Sequence, residues 1–266
     1  MCNKQVMALE FVTRGEAKRQ TGLTYIGGCN ISSKMVKNKK KNVLTYVIYL
    51  APADMSGFNV CPKATADCKA ACLNGSGHNR IDVRNIINAC RIKKTQLFFQ
   101  DRAFYMSWVY AEICAYKAMA VRKGMEFSIR LNGTSDINPL LYKHNGVTLF
   151  ELFPDVQFYD YTKVLNHTRI CNRFKNYDLT FSYSGYNWNE CIEALNMGVR
   201  VSVVFEDKLP ATYKGYKVID GDYTDLRYMD EPNVICGLKF KKVRTKINFK
   251  KQKFVVPASD KDCVFK

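Results

Sequence analysis

The chain has 266 residues, 47% of them hydrophobic, which is enough to build a full globular core and excludes a disordered or low-complexity protein. No apolar run approaches the roughly 20 residues that span a bilayer, and the opening MCNKQVMALEFVTRGEAKRQ lacks the apolar stretch of a signal peptide, so a cytoplasmic protein without membrane partners is expected. Lys and Arg number 41 against 24 Asp and Glu, a formal charge of +17 that favours nucleic acid or a nucleotide as partner, or else marks a solvated basic face. Charge alone does not separate DNA from RNA.

In chain order, LTYIGGCN reads as a strand and turn. The lysines of KMVKNKKKN read as a hairpin tip, and NVLTYVIYLAPA (42–53) as a buried strand rich in β-branched and aromatic residues. An irregular cysteine segment follows. From Asp82 to Lys123 apolar residues recur at three- and four-residue intervals, which predicts one long helix or a pair, stopped at Gly124. Strands and helices then alternate. MEFSIRLNG reads as a strand and LLYKHNGVTLFELFP as mostly helical. DVQFYDYTK is a strand, followed by a helix around Thr168–Lys175. YDLTFSYSG is a strand, and NWNECIEALNMG a helix closed by Gly198. VRVSVVFED, YKVIDGD and NVICGLKFK are further strands.

This order predicts a single α/β domain over residues 1–266, with parallel strands and crossover helices. A partial or full (β/α) barrel fits, and a doubly wound sheet fits nearly as well. Within it, 23–81 is a β-rich segment with the cysteine loop, 82–123 helical, 124–240 alternating, and 241–266 a basic tail. The run KFKKVRTKINFKKQK (239–253) carries much of the charge.

Of the 11 cysteines, Cys90, Cys114, Cys171, Cys191 and Cys236 sit singly in periodic segments and read as small buried hydrophobes. Cys61, Cys68 and Cys72 differ. They form C-x6-C-x3-C, with Gly75, Gly77 and His78 just beyond. Three readings stay open. The first is an iron–sulfur (4Fe–4S) cluster, with one iron lacking a protein ligand and so open to chemistry. The second is a structural zinc held by the three cysteines and His78. The third is three thiols without metal. A three-cysteine cluster beside a (β/α) barrel is similar to radical S-adenosylmethionine enzymes. In those, the open iron chelates the amino-acid part of the cofactor and the barrel holds the substrate. The spacing departs from their usual C-x3-C-x2-C.

Polar residues gather where the predicted strands end: Asn132, Thr134, Ser135 and Asp136; Asp160, Thr162 and Lys163; Ser182 and Ser184; Glu206 and Asp207; Asp220 and Asp222. In parallel α/β folds the site forms at the carboxyl ends of strands. Asp136, Asp160, Lys163 and Asp222 are candidates for catalysis. Asn132, Thr134, Ser182, Ser184, Asp220 and Arg227 are candidates for holding a cofactor. Helix capping and turns are the other reading for each, Asp220-Gly221-Asp222 above all.

The strings YLAPADMSGFNVCPKATADCKAACLNGSGH, RLNGTSDI, FYDYTK, LTFSYS, VVFEDKLP, VIDGDYTDLRYMD and VICGLKFK together resemble a family of bacteriophage proteins named after a mycobacteriophage gene product 88. The resemblance runs from about Leu23 to Val256. It implies a phage-encoded, intracellular protein without implying an activity. It matches the family's cysteine motif to Cys61, Cys68 and Cys72. It matches its strand-end motifs to Asn132, Gly133, Thr134, Asp136, Asp160, Thr162, Lys163, Ser182, Ser184, Asp220, Asp222, Asp225 and Arg227. The lysine-rich tail after Lys241 is less typical of it.

Overall fold

The computed structural model describes residues 13–29, 33–171, 173–243, 247–248 and 251–265. The first twelve residues and part of the predicted basic tail lie outside the described residues.

The chain opens with α1 (Arg14–Thr21), β1 (Gly27–Gly28) and α2 (Ser33–Asn38), then β2 (Val43–Ile48). β1 and β2 pair antiparallel, as a hairpin would. Their connection is helical instead: Lys39–Lys41 form a 3-10 turn that ends at Asn42 in the left-handed region (φ 59°). Buried Met35 gives α2 an anchor that a bare lysine tip lacks.

The cysteine segment holds α3 (Ala66–Ala70) and α4 (His78–Ile81). The predicted long helix is a pair, α5 (Ile86–Gln100) and α6 (Arg102–Arg122). It breaks at Asp101, whose carboxylate caps α6 by accepting from Phe104 N–H (3.0 Å). Gly124 follows α6 with φ 61°, a conformation that favours glycine.

β3 (Glu126–Arg130) comes next. The segment predicted as mostly helical is a hairpin, β4 (Lys143–His144) and β5 (Val147–Thr148), followed by the single turn α7 (Leu149–Leu152). Asn145 and Gly146 take positive φ between the two strands, and Thr148 and Glu151 close a capping box. The chain then alternates through β6 (Gln157–Thr162), α8 (Leu165–Cys171), β7 (Tyr177–Ser182), α9 (Trp188–Asn196) and β8 (Arg200–Phe205). It closes with β9 (Thr212–Tyr213), β10 (Tyr216–Asp220), β11 (Ile235–Lys239), β12 (Val255–Val256) and β13 (Cys263–Val264).

All but β4 and β5 join one sheet, ordered β1-β2-β3-β6-β7-β8-β11-β10-β9-β13, with β12 on β8. From β2 to β10 every neighbouring pair is parallel. The fold is therefore α/β with a large, mostly parallel sheet. Among the described residues no ladder joins its two ends.

The strands have two unlike faces. Leu44, Tyr46, Ile48, Ile129, Phe158 and Leu179 pack with Trp108, Val109 and Ile113 of α6 in one apolar core. Phe181, Val201, Val203 and Phe205 continue it against Cys191 and Leu195 of α9. The alternate residues are polar and buried: Thr45 meets Ser128 (2.9 Å), and Ser202 donates to Ser182 (3.0 Å). That face is covered by the segment after β10. Asp225 there pairs with Arg130 (2.7 Å) and accepts from Tyr159 and Tyr161, while its N–H donates to Asn38 (3.0 Å). Among the single cysteines, Cys191 and Cys236 are buried as expected. Cys114 and Cys171 are half-buried, and Cys90 is exposed, so the buried-hydrophobe reading does not hold for it.

Among the described residues no helix is long and apolar enough to cross a membrane.

Candidate functional site

The loop after β2 carries the three cysteines over the carboxyl ends of the strands. Local bonds fix its course. Asn59 accepts from Cys61 N–H (3.0 Å), and Ala53 N–H donates to the Cys61 sulfur (3.4 Å). Thr65 caps α3 by accepting from Cys68 N–H (3.1 Å), and its hydroxyl reaches across to the Ser184 carbonyl (3.2 Å). Asp67 accepts from Tyr186 OH (3.1 Å) and Lys253 N–H (2.9 Å). The cysteine loop is thus stitched to the end of β7 and to the chain entering β12.

Beneath it lies a cavity of about 190 Å³. Its walls include Cys61, Cys68 and Cys72 from the loop, and Asn132–Asp136 after β3. Thr162 and Lys163 close β6, Ser182 closes β7, Ser202 comes from β8, and Asp222 and Lys239–Lys241 complete the rim. Arg130, Tyr161 and Phe254 also line it.

Of the candidates, the structure brings Cys61, Cys68, Cys72, Asn132, Thr134, Asp136, Lys163, Ser182 and Asp222 to this one cavity. Many of them also brace the loops. Asn132 accepts from Ser135 OH (2.7 Å) and Ile137 N–H (3.1 Å). Thr134 OH donates to the Leu50 carbonyl (2.5 Å). Asp136 accepts from Thr162 OH and from Lys163 N–H, each at 2.7 Å, with His167 Nδ1 at 3.4 Å. Gly133 is required by crowding: a Cβ there would stand 2.6 Å from the Ile48 carbonyl oxygen.

Five candidates lie elsewhere. Asp160 points to the apolar face, where it accepts from Asn132 N–H (2.7 Å) and Tyr177 OH (3.5 Å); burial pushes its carboxyl up to about 7. Ser184 is buried behind β7, its N–H donating to Asn187 (2.7 Å). Asp220 is exposed and accepts from Asp222 N–H (2.8 Å), the turn role. Arg227 is fully buried under the sheet, bound to the Thr224 carbonyl (2.6 Å) and Asp230 (3.1 Å). His78 is exposed at the start of α4 and lines no part of the cavity.

Lys163 sets a cation among the thiols and Asp136. Burial works against the Lys163 charge, but Cys68, Asp136 and Cys61 outweigh it and raise its pKa. Burial raises the Cys61 thiol to about 11 and raises Cys72 as well. Among the described residues no three His, Cys, Asp or Glu side chains close on a single ion-sized centre. The thiols instead line a shared wall.

Arg130 is not among the candidates, Asp225 is named only through the family resemblance, and His167 is given no role. An arginine inside the buried strand FSIRL is a usable signal, because a buried charge needs a partner. That partner is 95 residues away in sequence. Arg130 Nε and Thr180 Oγ1 are buried on the polar face with no hydrogen-bond partner, so the face has donors to spare.

Neither a curated protein nor a solved structure matches the chain. The family model of Gene product 88 matches residues 14–257, which takes in the cysteine loop, every parallel strand and all the cavity residues, so the chain belongs to the phage Gene product 88 family.

Proposed function

We propose that the protein holds an iron–sulfur cluster on Cys61, Cys68 and Cys72 and works, as radical S-adenosylmethionine enzymes do, on a nucleotide or nucleic-acid substrate in the host cytoplasm. One observation carries the reading. The loop after the first parallel strand delivers three thiols to the same cavity that the carboxyl ends of the later strands line. The neighbour-by-neighbour order of β2, β3, β6, β7 and β8 supports a partial (β/α) barrel as the frame.

The donor set fits. In a cluster each thiolate takes its own iron, and cysteines are the usual ligands. A single zinc holds every sulfur about 2.3 Å from one centre. When bound, the cluster would supply one-electron chemistry at an iron open to an outside ligand such as S-adenosylmethionine. The chain's own residues bind and orient. Arg130, held by Asp225 and stacked on Tyr161 (4.7 Å), presents a fixed cation to the cavity. Ser182 and Ser202 offer hydroxyls from the floor. Both oxygens of Asp136 are occupied, so it positions the Lys163 backbone and His167.

The test is iron, sulfide and zinc analysis of protein purified without air, with a visible spectrum. About four irons and four sulfides per chain, lost in Cys68→Ala, are expected. One zinc in a colourless protein would overturn the reading.

A further inference from the structure

The two basic runs, far apart in sequence, meet at one place. Lys37 Nζ donates to the Asp222 carbonyl (2.7 Å), and Lys41 Nζ lies 5.4 Å from the Tyr223 ring centre. Lys241 pairs with the Asp222 carboxylate (3.0 Å), whose other oxygen accepts from Lys239 N–H (2.8 Å). Asp222, Lys239 and Lys241 are on the cavity wall. Lysines from before β2 and after β11 therefore surround the same rim.

The rim also carries exposed aromatic rings. Tyr223, next to Asp222, is 65% exposed, and Tyr186, at the carboxyl end of β7, is 60% exposed. Lys253 Nζ sits 5.2 Å from the Tyr186 ring, and the next residue, Phe254, lines the cavity. Each exposed tyrosine thus has a lysine beside it and a cavity-lining residue next in line. The acids of the rim are already engaged: Asp222 by Lys241 and Lys239 N–H, Asp67 by Tyr186 and Lys253 N–H. Lys37 donates to a neutral carbonyl rather than to a carboxylate.

Lysines that follow a backbone, alternating with rings on which bases stack, are the chemistry of single-stranded nucleic-acid binding. A duplex offers phosphates but no free base faces. We infer that the rim from Lys37, Lys41 and Tyr223 to Lys253 and Tyr186 binds a single polynucleotide strand across the cavity mouth. The substrate of the site is then a nucleotide within a strand. This last step rests on the catalytic reading above; the binding surface itself does not.

The experiment is fluorescence anisotropy with labelled single-stranded DNA and RNA 20-mers, against a duplex of the same sequence, over a salt series. Both single strands should bind more tightly than the duplex, and the tighter of the two identifies the natural strand. Tyr186→Ala and Tyr223→Ala should each weaken binding about tenfold. The triple variant Lys37→Gln, Lys41→Gln, Lys253→Gln should flatten the salt slope by about 2. Duplex binding as tight as single-strand binding, with tyrosine variants unchanged, would reduce the rim to plain charge attraction and overturn the proposal. So would absence of binding at low salt. Repeating the titration with Cys68→Ala separates the two readings. Strand binding without iron leaves the surface standing while the enzyme reading falls. Iron without strand binding leaves the cavity to a free small molecule.

Discussion

The two faces of the same parallel strands do different work. On one, Leu44, Ile129, Phe158 and Val203 meet helices and exclude water. On the other, one residue along, Thr45 and Ser128 share a hydrogen bond, and Arg130, Tyr161 and Ser202 open onto a cavity. A parallel strand covered on both sides ordinarily reads as a continuous apolar run. Here the alternation survives burial. Apolar burial is concentrated on the helix side, while the polar side is held by hydrogen bonds and the Arg130–Asp225 pair. A buried polar layer is tolerated when its members satisfy one another, and its spare donors then have a use.

Substitutions can break or sharpen that contrast. The largest loss is expected for Phe158→Ala on the apolar face, about 3–5 kcal/mol in urea unfolding, from lost burial and the cavity left behind. Arg130→Met should cost about 3 kcal/mol by stranding buried Asp225. Replacing both partners, with Asp225→Leu, should recover most of that loss. Full recovery would mean the pair serves ligands and not the fold.

Asp160 gives a pH signature to the apolar side. Its carboxyl titrates near 7 when folded, above its unfolded value near 4, so the folded chain holds the extra proton in between. Stability should therefore fall as pH rises from about 4 to 7 and level off above. In melting curves the wild type should lose roughly 5–10 °C over that range relative to Asp160→Asn.

On the polar side, away from the Arg130–Asp225 pair, the expected effects on stability shrink. Cys68→Ala should stay within about 1 kcal/mol of the wild type while abolishing iron binding. Ser182→Ala should change stability by less still, about 0.5 kcal/mol, since Ser202 also contacts the Phe181 carbonyl (3.4 Å). A large loss in either variant would make the polar face structural and remove the contrast.

Much of this was legible in the residues. The strands declare themselves by β-branched and aromatic runs, and the cysteine spacing singles out its loop. What failed did so for physical reasons. The Asn145-Gly146 turn was outweighed by the apolar LFEL beside it, although that turn fits a hairpin closely. The insertion of β11 between β8 and β10 is a matter of packing among equally apolar strands, and no local pattern encodes it. At the strand ends residue type alone could not divide the acids. Asp136 and Asp160 look alike in sequence, yet one lines the cavity from the loop after β3, and the other lies within β6 on the apolar side, under Asn132 N–H. Arg130 and Asp225 had no visible link, since their pairing exists only once the segment after β10 folds across the sheet.

One stitch has a thermodynamic consequence. Asp67, the residue before Cys68, holds both Tyr186 and the backbone of Lys253, while Gly185 lies so close to Lys253 that a Cβ would stand 2.7 Å from its carbonyl carbon. The thiol loop and the strap that leads to β12 are therefore tied together at Asp67 and Gly185. Linkage is reciprocal: if a group settling at Cys68 steadied Asp67 and so tightened binding at Tyr186, an occupant at Tyr186 would tighten the hold at Cys68 by the same free energy. Under the proposed function, loading of the thiols and capture at the mouth would then be two readings of a single equilibrium.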